Sequence, residues 1–411
     1  MTEWPIVRFD QLASTDRWAF SIGPFGSKVT TRDYQNIGIP FIRGVNLARG
    51  VFLDDDFVFI SEQKANEVES AVVRPGDLVF TRKGTVGQVS MIPRNPRYDR
   101  YVISGSQVKA RIDSRCAAPE FYYYWFTSPS GRRSILEHAV TTGVPSLANS
   151  LSSIRGLQVP KPPLAEQKAV ARLLESLDDK IAVNEHIAAV YEQLLQYRFT
   201  GLGLSEDPEE ALSIPVTNLV TFSPKPGRPS AAEPIYVDMA ALRTNRAGIP
   251  SWTRRKPKSG PRFTNGDTLM ARITPCLENG KTGYVDFMAD GEIGLGSTEF
   301  IVMRSLPGVP SQLSYFLARD KRFREHAIRN MVGTSGRQRV SATDVANYSV
   351  NNPDAEQLAA FGKEATAAFA HMKSLNSESR TLATLRDTLL PQLMSGRLRV
   401  KDAEKIVEDL A

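Results

Sequence analysis

The stretch PLAEQKAVARLLESLDDKIAVNEHI runs from Pro163 to Ile187, and a kindred one, PDAEQLAAFGKEATAAFAHMKSLNSES, begins at Pro353. Gln167 of the first stands 190 positions before Gln357 of the second. In the first, Val170, Leu174, Leu177, Ile181, Asn184, Ala188, Tyr191, Leu195 and Arg198 succeed one another in alternating steps of four and three, which is a heptad seam on a helix. In the second, Phe361, Ala365, Ala368, Met372, Leu375, Ser379, Leu382, Arg386 and Leu389 keep the same alternation. A helix from Pro163 to Thr200 would be about 57 Å long. Neither helix can bury such a stripe alone, so the simplest expectation is that they pack on each other. Ala365 and Ala368 would allow close approach, and Asn184 within the seam would fix register at some cost in stability. The alternative is that each helix packs only on its own domain.

Outward from the helices, the repeat continues at an offset close to 190. RPGDLVFTRKGTVGQVSMI, which includes Gly76-Asp77 and Arg82, answers to TNGDTLMARITPCLENGKTGYVDFM, which includes Gly266-Asp267 and Arg272. ISGSQVKARID (103–113) answers to GLGSTEFIVMRS (294–305), and VTTGVPSL (140–147) to VGTSGRQRV (332–340). EFYYYWFTSPSGRRSILEHAV answers to SQLSYFLARDKRFREHAIRNM, Tyr124 to Tyr315 and Arg133 to Arg324. The chain therefore reads as one tandem duplication. Each half opens with about 150 residues of β-rich runs broken by Gly and Pro, mixed with short helices. FYYYWF reads better as a buried helix than as a base-stacking platform.

The expected fold class is α+β: two similar globular domains separated by two long antiparallel coiled-coil helices, with a pseudo-twofold internal repeat. The expected boundaries are 1–160 for the first domain, 161–201 for the central helix, 202–352 for the second domain, 353–396 for the distal helix and 397–411 for a C-terminal tail.

A chain of 411 residues is too long for one ordinary core. Apolar residues make up 41% and charged ones 23%, the range of a soluble globular protein. No apolar run is long enough for a membrane span, and MTEWPIVRFDQL lacks the make-up of a secretion signal. Cys116 and Cys276 form no CxxC pair, which fits a reducing cytoplasm and argues against a cysteine zinc site. The net charge is +6, with +4 over 1–160, −1 over 161–201, +4 over 202–352 and −1 over 353–411. The excess sits in both globular pieces and in neither helical one, which suggests polyanion contact at two places.

Enzyme signatures fail on inspection. Lys281-Thr282 follow Gly280, but Pro275 stands where a phosphate-binding loop needs glycine. No Rossmann glycine pattern follows a strand, and the tetrapeptide that holds a flipped base in amino-methyltransferases is missing. The four histidines, His138, His186, His326 and His371, form no paired motif. Asp178-Asp179 read as solvated charge on a helix face.

PPLAEQKAVARLLESLDDKIAVNE (162–185), LRDTLLPQLMSGRLRV (385–400), GPFGSKV with GIPFIRGVNL (23–47) and MARITPCLENGKTG (270–283) together resemble the specificity subunits of Type I restriction-modification systems. The resemblance covers nearly the whole chain, in the family's order. It departs at QLLQYRFTGLGLSED, where relatives more often continue with aromatics, and at Gly362 in a second helix poorer in large apolar residues. It implies two target recognition domains, each reading half of a split DNA sequence. It implies a helical spacer that sets the gap and docks two methyltransferase subunits, and a non-catalytic chain that binds no cofactor or metal. S-adenosylmethionine, ATP and Mg are implied for the methyltransferase and the restriction/translocase subunits. The runner-up reading is a two-headed protein-interaction scaffold.

Candidate DNA contacts are basic residues beside glycines or in loops: Lys28, Arg43, Arg82 and Lys83 in the first half, and Arg254, Arg255, Lys256, Lys258, Arg272, Lys281, Arg337 and Arg339 in the second. The loop 253–262, which also holds Arg262, is the foremost expectation for phosphate contact. Gln107, Asn279 and Gln338 are weaker candidates for base edges.

Overall fold

The computed structural model describes residues 4–26, 28–256, 259–334 and 336–410. It divides into two compact units, Met1–Asp179 with Ala383–Ala411, and Lys180–Leu382. Both long helices, which lie within the expected segments 161–201 and 353–396, are thus shared out between the units.

Unit one holds two four-stranded sheets. The first is antiparallel throughout, in the order Phe20–Ile22, Gln107–Ala110, Leu78–Thr81, Val89–Met91. The second has the order Val58–Ile60, Ile39–Ile42, Tyr101–Ile103, Val72–Val73, with one parallel pairing between Ile39–Ile42 and Tyr101–Ile103. Unit two repeats both orders. Its antiparallel sheet runs Val220–Phe222, Phe300–Ser305, Thr268–Ala271, Thr282–Tyr284. Its other sheet runs Thr253–Arg254, Ile235–Val237, Gly294–Gly296, Arg262–Phe263, and the parallel pairing again joins its two middle strands. In each unit a two-stranded pair also ties the domain's start to the strand before a long helix: Ile6–Arg8 with Gln158–Pro160, and Ser213–Pro215 with Ser349–Asn351.

Strand alternation assigns the layers. In unit two, Leu269 belongs to a core with Ile235, Val237 and Phe263 of the second sheet, while its neighbour Met270 belongs to a core with Phe316, Phe369 and Met372 of the helices. Successive side chains leave a strand on opposite faces, so the central strand is sandwiched between sheet and helix. In unit one Val79 packs with Phe41 and Tyr101, and Phe80 meets Phe126 edge to face at 4.9 Å. Phe126 lies on Pro119–Thr127, so the aromatic run is a helix, with Phe121, Tyr122, Tyr124, Trp125 and Phe126 all buried. A second helix, Pro129–Leu136, follows at once, capped by Ser128. Leu313–Arg319 and Lys321–Arg329, capped by Asp320, repeat this pair.

The long helices are Leu164–Thr200 and Ala355–Met394. They run antiparallel in both units. In unit two Asn184 donates to Glu378 (2.8 Å), Tyr191 meets His371 (3.1 Å) and Arg198 pairs with Glu364 (3.2 Å). In unit one Asp178 is paired with Arg386. Of the expected seam, Val170, Leu174, Leu177, Asn184, Ala188 and Leu195 are buried, as are Phe361, Ala365, Ala368, Met372, Leu375, Leu382 and Leu389. Ile181 and Tyr191 are only half-buried. Arg198 is a correction: its side chain is 54% exposed, and Phe199 is the buried residue there. A straight helix drifts against a 3.5-residue repeat, and Phe199 turns to Phe316 and Phe361 in its own unit's core.

Gly362 is no defect, because a Cβ there would lie 2.6 Å from Pro310 Cγ. The segment 397–411 is not a bare tail: Val400–Leu410 is a helix, with Ala403 buried on its apolar face. Asp178 is likewise no solvated charge, since Tyr124 donates to it at 2.7 Å.

Candidate nucleic-acid interface

In unit one the turn Ser104–Gln107 is the hub of one end of the antiparallel sheet. Gly23 N–H donates to the Gln107 carbonyl (3.1 Å), Ser104 N–H to Ile42 (3.1 Å), and Arg82 and Lys83 N–H to Ser106 (2.8 and 3.3 Å). Gly84 N–H reaches Pro145, and Leu147 N–H reaches Arg82. The glycines are required because the backbones touch. A Cβ on Gly23 would sit 2.0 Å from the Ser104 carbonyl oxygen, and one on Gly105 2.4 Å from that of Pro24. Sequence candidates far apart along the chain, Lys28, Arg43, Arg82 and Lys83, are thereby carried by adjoining loops.

Their side chains differ in role. Arg82 donates to the Gly105 carbonyl (2.6 Å) and to Ser150 Oγ (3.1 Å), so it braces the turn. Arg43 donates to the Asp56 carbonyl at 3.1 Å, while its Nε is buried without a partner among the described residues. Lys28 and Lys83 are exposed. Exposed on the same loops are Phe25 and Val144, at 64% and 61%. Sequence reasoning passed over both. The signal was an apolar residue beside a glycine in a polar loop. Gln107 is fully buried and accepts from Ser104 N–H and Oγ (2.8 and 3.1 Å), so it shapes the turn.

Unit two builds the same end from different residues. Arg272 N–H donates to Glu299 (3.0 Å), Val340 N–H to Arg272 (3.0 Å), and Thr274 N–H to Gln338 (3.1 Å). The bridge Ile273–Arg339 stands where unit one has Lys83–Ser146. Arg339 forms a forked pair with Glu299 at 2.8 Å, which holds that carboxyl below the usual carboxylate range. Arg337 is exposed beside it, and Val332 is 74% exposed. Arg272 Nε is buried without a partner among the described residues.

The remaining candidates lie elsewhere. Arg254, Arg255 and Lys256 are on and after the edge strand Thr253–Arg254, beside the start of Ile235–Val237, whose far end leads to Ser297. Arg254 is paired with Glu292 (2.8 Å), Arg255 lies 3.2 Å over the Tyr236 ring, and Lys256 is exposed. Arg262 donates to the Pro226 and Gly227 carbonyls. Lys258 lies outside the described residues. Lys281 donates to the Met239 carbonyl (3.0 Å), and Asn279 is exposed. The loop 253–262 is therefore largely tied down by internal partners.

Chemically, each unit offers cations and apolar tips on turns fixed backbone to backbone. That suits contact with phosphates and base edges. Among the described residues no three His, Cys, Asp or Glu side chains are grouped to hold a metal ion. None of the helices, over the described residues, is long and apolar enough to cross a membrane.

Comparison with known proteins adds the following. Residues 24–193 match the family described as the Type I restriction modification DNA specificity domain. The chain is 27% identical to the Type I restriction enzyme EcoEI specificity subunit of Escherichia coli over 274 residues, 63% of this chain and 44% of that protein. It is 27% identical to the EcoAI specificity subunit of the same organism over 165 residues, 40% of this chain and 28% of that one. The chain thus spans less than half the length of the curated relatives it matches. Its fold is similar to the crystal structure of a Type-I restriction-modification system S subunit from M. genitalium, with a TM-score of 0.53 at 16% identity, covering 95% of this chain and 96% of the other.

Proposed function

We infer that this chain, whose residues 24–193 match the Type I restriction modification DNA specificity domain, is a member of that specificity family and binds double-stranded DNA as the subunit that chooses the target. Each unit reads one half of a split sequence, and the paired helices set the gap. The reading is carried by the repetition of strand order in both units, down to the single parallel pairing. Basic turns at matching strand ends support it, as does a charge excess confined to the globular halves.

The partners follow from the helices. Val183, Val190, Leu194 and Tyr197 are 49–76% exposed and follow one another by seven, four and three residues. They make a second apolar seam on Leu164–Thr200, apart from the one that faces Ala355–Met394. Methyltransferase subunits, two per complex, dock on the helices, and restriction/translocase subunits join them. The chain itself is non-catalytic: S-adenosylmethionine is used by the methyltransferase subunits, ATP and Mg by the translocase.

The test is selection from a randomised duplex pool by the chain with its methyltransferase subunits. Two short conserved blocks at fixed separation are expected. Affinity should fall about 10³–10⁵-fold between 50 and 200 mM salt if 6–10 phosphates are contacted. No enrichment, with salt-insensitive protein association, would replace this reading with that of a protein-interaction scaffold.

A further inference from the structure

The other end of unit one's antiparallel sheet carries a cavity of about 750 Å³ that the DNA reading does not use. Lys109 pairs with Val79 in the middle of the sheet, and the strands lead on to Arg111 and Asp77, away from the Ser104–Gln107 turn. Lys109 is 1% exposed and reaches the second sheet, donating to the Val72 carbonyl at 2.5 Å. One acceptor is a poor complement for a buried ammonium with three donors. The duplicate places Val302 at this register, opposite Leu269. The fold itself therefore does not need a lysine here.

Lys109 lines the cavity together with Arg17, Arg74, Arg100 and Arg111. Arg111 is taken up by Asp77 and by Asp16, itself a wall residue. Two other carboxylates line the walls, Glu69 and Asp99, both exposed. The balance left is positive. Trp18, 38% exposed, also lines the cavity, with the Arg17 guanidinium 4.6 Å from its ring centroid. Burial lowers the Lys109 ammonium to about 8, so it remains charged at neutral pH.

We propose that this cavity binds a small phosphorylated ligand of nucleotide size, with phosphates at Lys109, Arg74 and Arg100 and a ring on Trp18. The volume falls within the range of small-molecule sites, and a buried lysine ringed by the exposed Arg74 and the half-buried Arg100, beside an exposed indole, matches phosphate and base.

The probes are inorganic pyrophosphate and ATP, each titrated with EDTA present against the full chain without DNA, by calorimetry. Saturable binding is expected, tighter for ATP. Lys109→Val, which installs the duplicate's residue, should weaken both probes tenfold or more at unchanged thermal midpoint and unchanged duplex affinity. Trp18→Ala should weaken ATP and spare pyrophosphate. No saturable binding of either probe, or wild-type affinity in a folded Lys109→Val, overturns the proposal. Loss of duplex affinity in Lys109→Val without probe binding also overturns it, and reassigns the lysine to the DNA backbone.

Discussion

The Gly-Asp pairs that mark the repeat turn out to be one buried ion pair made twice. Asp77 and Asp267 are 1% and 0% exposed. Each closes its own turn, accepting from Arg74 or Thr264 N–H, and each is gripped through two nitrogens, Asp77 by Arg111 and Asp267 by Arg304, at 2.6–2.7 Å. The aspartates were legible as a motif. Their arginines were not, since they come from a strand more than 30 residues on, and nothing local marks them. Removing the arginine strands the fully buried Asp267 in a low-dielectric site, whereas Arg304 is 34% exposed. Arg304→Met should cost about 3–5 kcal/mol in urea unfolding, and adding Asp267→Ala should restore much of it. A full 3 kcal/mol loss that persists in the double variant would show that the turn, not the charge, matters. Asp286 makes a different prediction. Burial raises its carboxyl to about 6, against the pull of Lys373 and Arg380. The native state then holds a proton that the unfolded chain releases near 4, so stability falls as pH rises from about 4 to 6 and stays lower above. Asp286→Asn should raise the unfolding free energy at pH 7.5, by up to about 3 kcal/mol, and gain little at pH 4. Equal gains at both pH values would refute the assignment.

At the scale of elements, periodicity foretold the helices, the first ending at Thr200 as expected, and misjudged which residue its last turn buries. The heptad step pointed to Arg198 where the helix buries Phe199, because a unit's own aromatic core competes with the partner helix for the last turns. The twin Ala-Glu-Gln openings also part company. Gln167 is fully buried, accepting from Ala118 N–H (2.8 Å) and donating to the Pro162 carbonyl (2.7 Å). Gln357 is exposed, and Asp354 caps that helix through the Gln357 N–H at 2.9 Å. The same words therefore bolt one helix to its domain and merely start the other. What the seam did not reveal was the outer stripe, since a helix with two apolar faces blurs its own period. Leu194 is 49% exposed, so Leu194→Glu should leave the unfolding free energy within about 0.5 kcal/mol. It should weaken association with methyltransferase subunits at least tenfold in co-purification and sedimentation. Undiminished association would remove this stripe from the docking surface.

Across the whole molecule, duplication was the most legible property, because it is written in motif order and not in any single contact. Both sheets of each unit could be paired in advance only loosely. Strands of two to four residues, such as Val72–Val73 and Arg262–Phe263, leave little period to read. The tie between Ile6–Arg8 and Gln158–Pro160 joins residues about 150 apart, beyond any local signal. In the expected DNA-contact loop at 253–262 the charge was legible and its pairing was not, for a related reason: Glu292, the partner of Arg254, lies 38 residues on. The proposed split target makes the last prediction a matter of geometry. Four residues add about 6 Å to a helix, close to two base pairs of duplex, and turn it by only about 40° beyond a full turn. The helices are paired, so the insertion has to be matched, four residues after Asp179 and four after Leu382. Selection from a randomised pool should then return the same two half-sites with a gap about two base pairs longer. An unaltered gap would mean that the DNA, by bending or by its own flexibility, sets the separation, and the ruler reading would be abandoned while the assignment of half-sites to units stands.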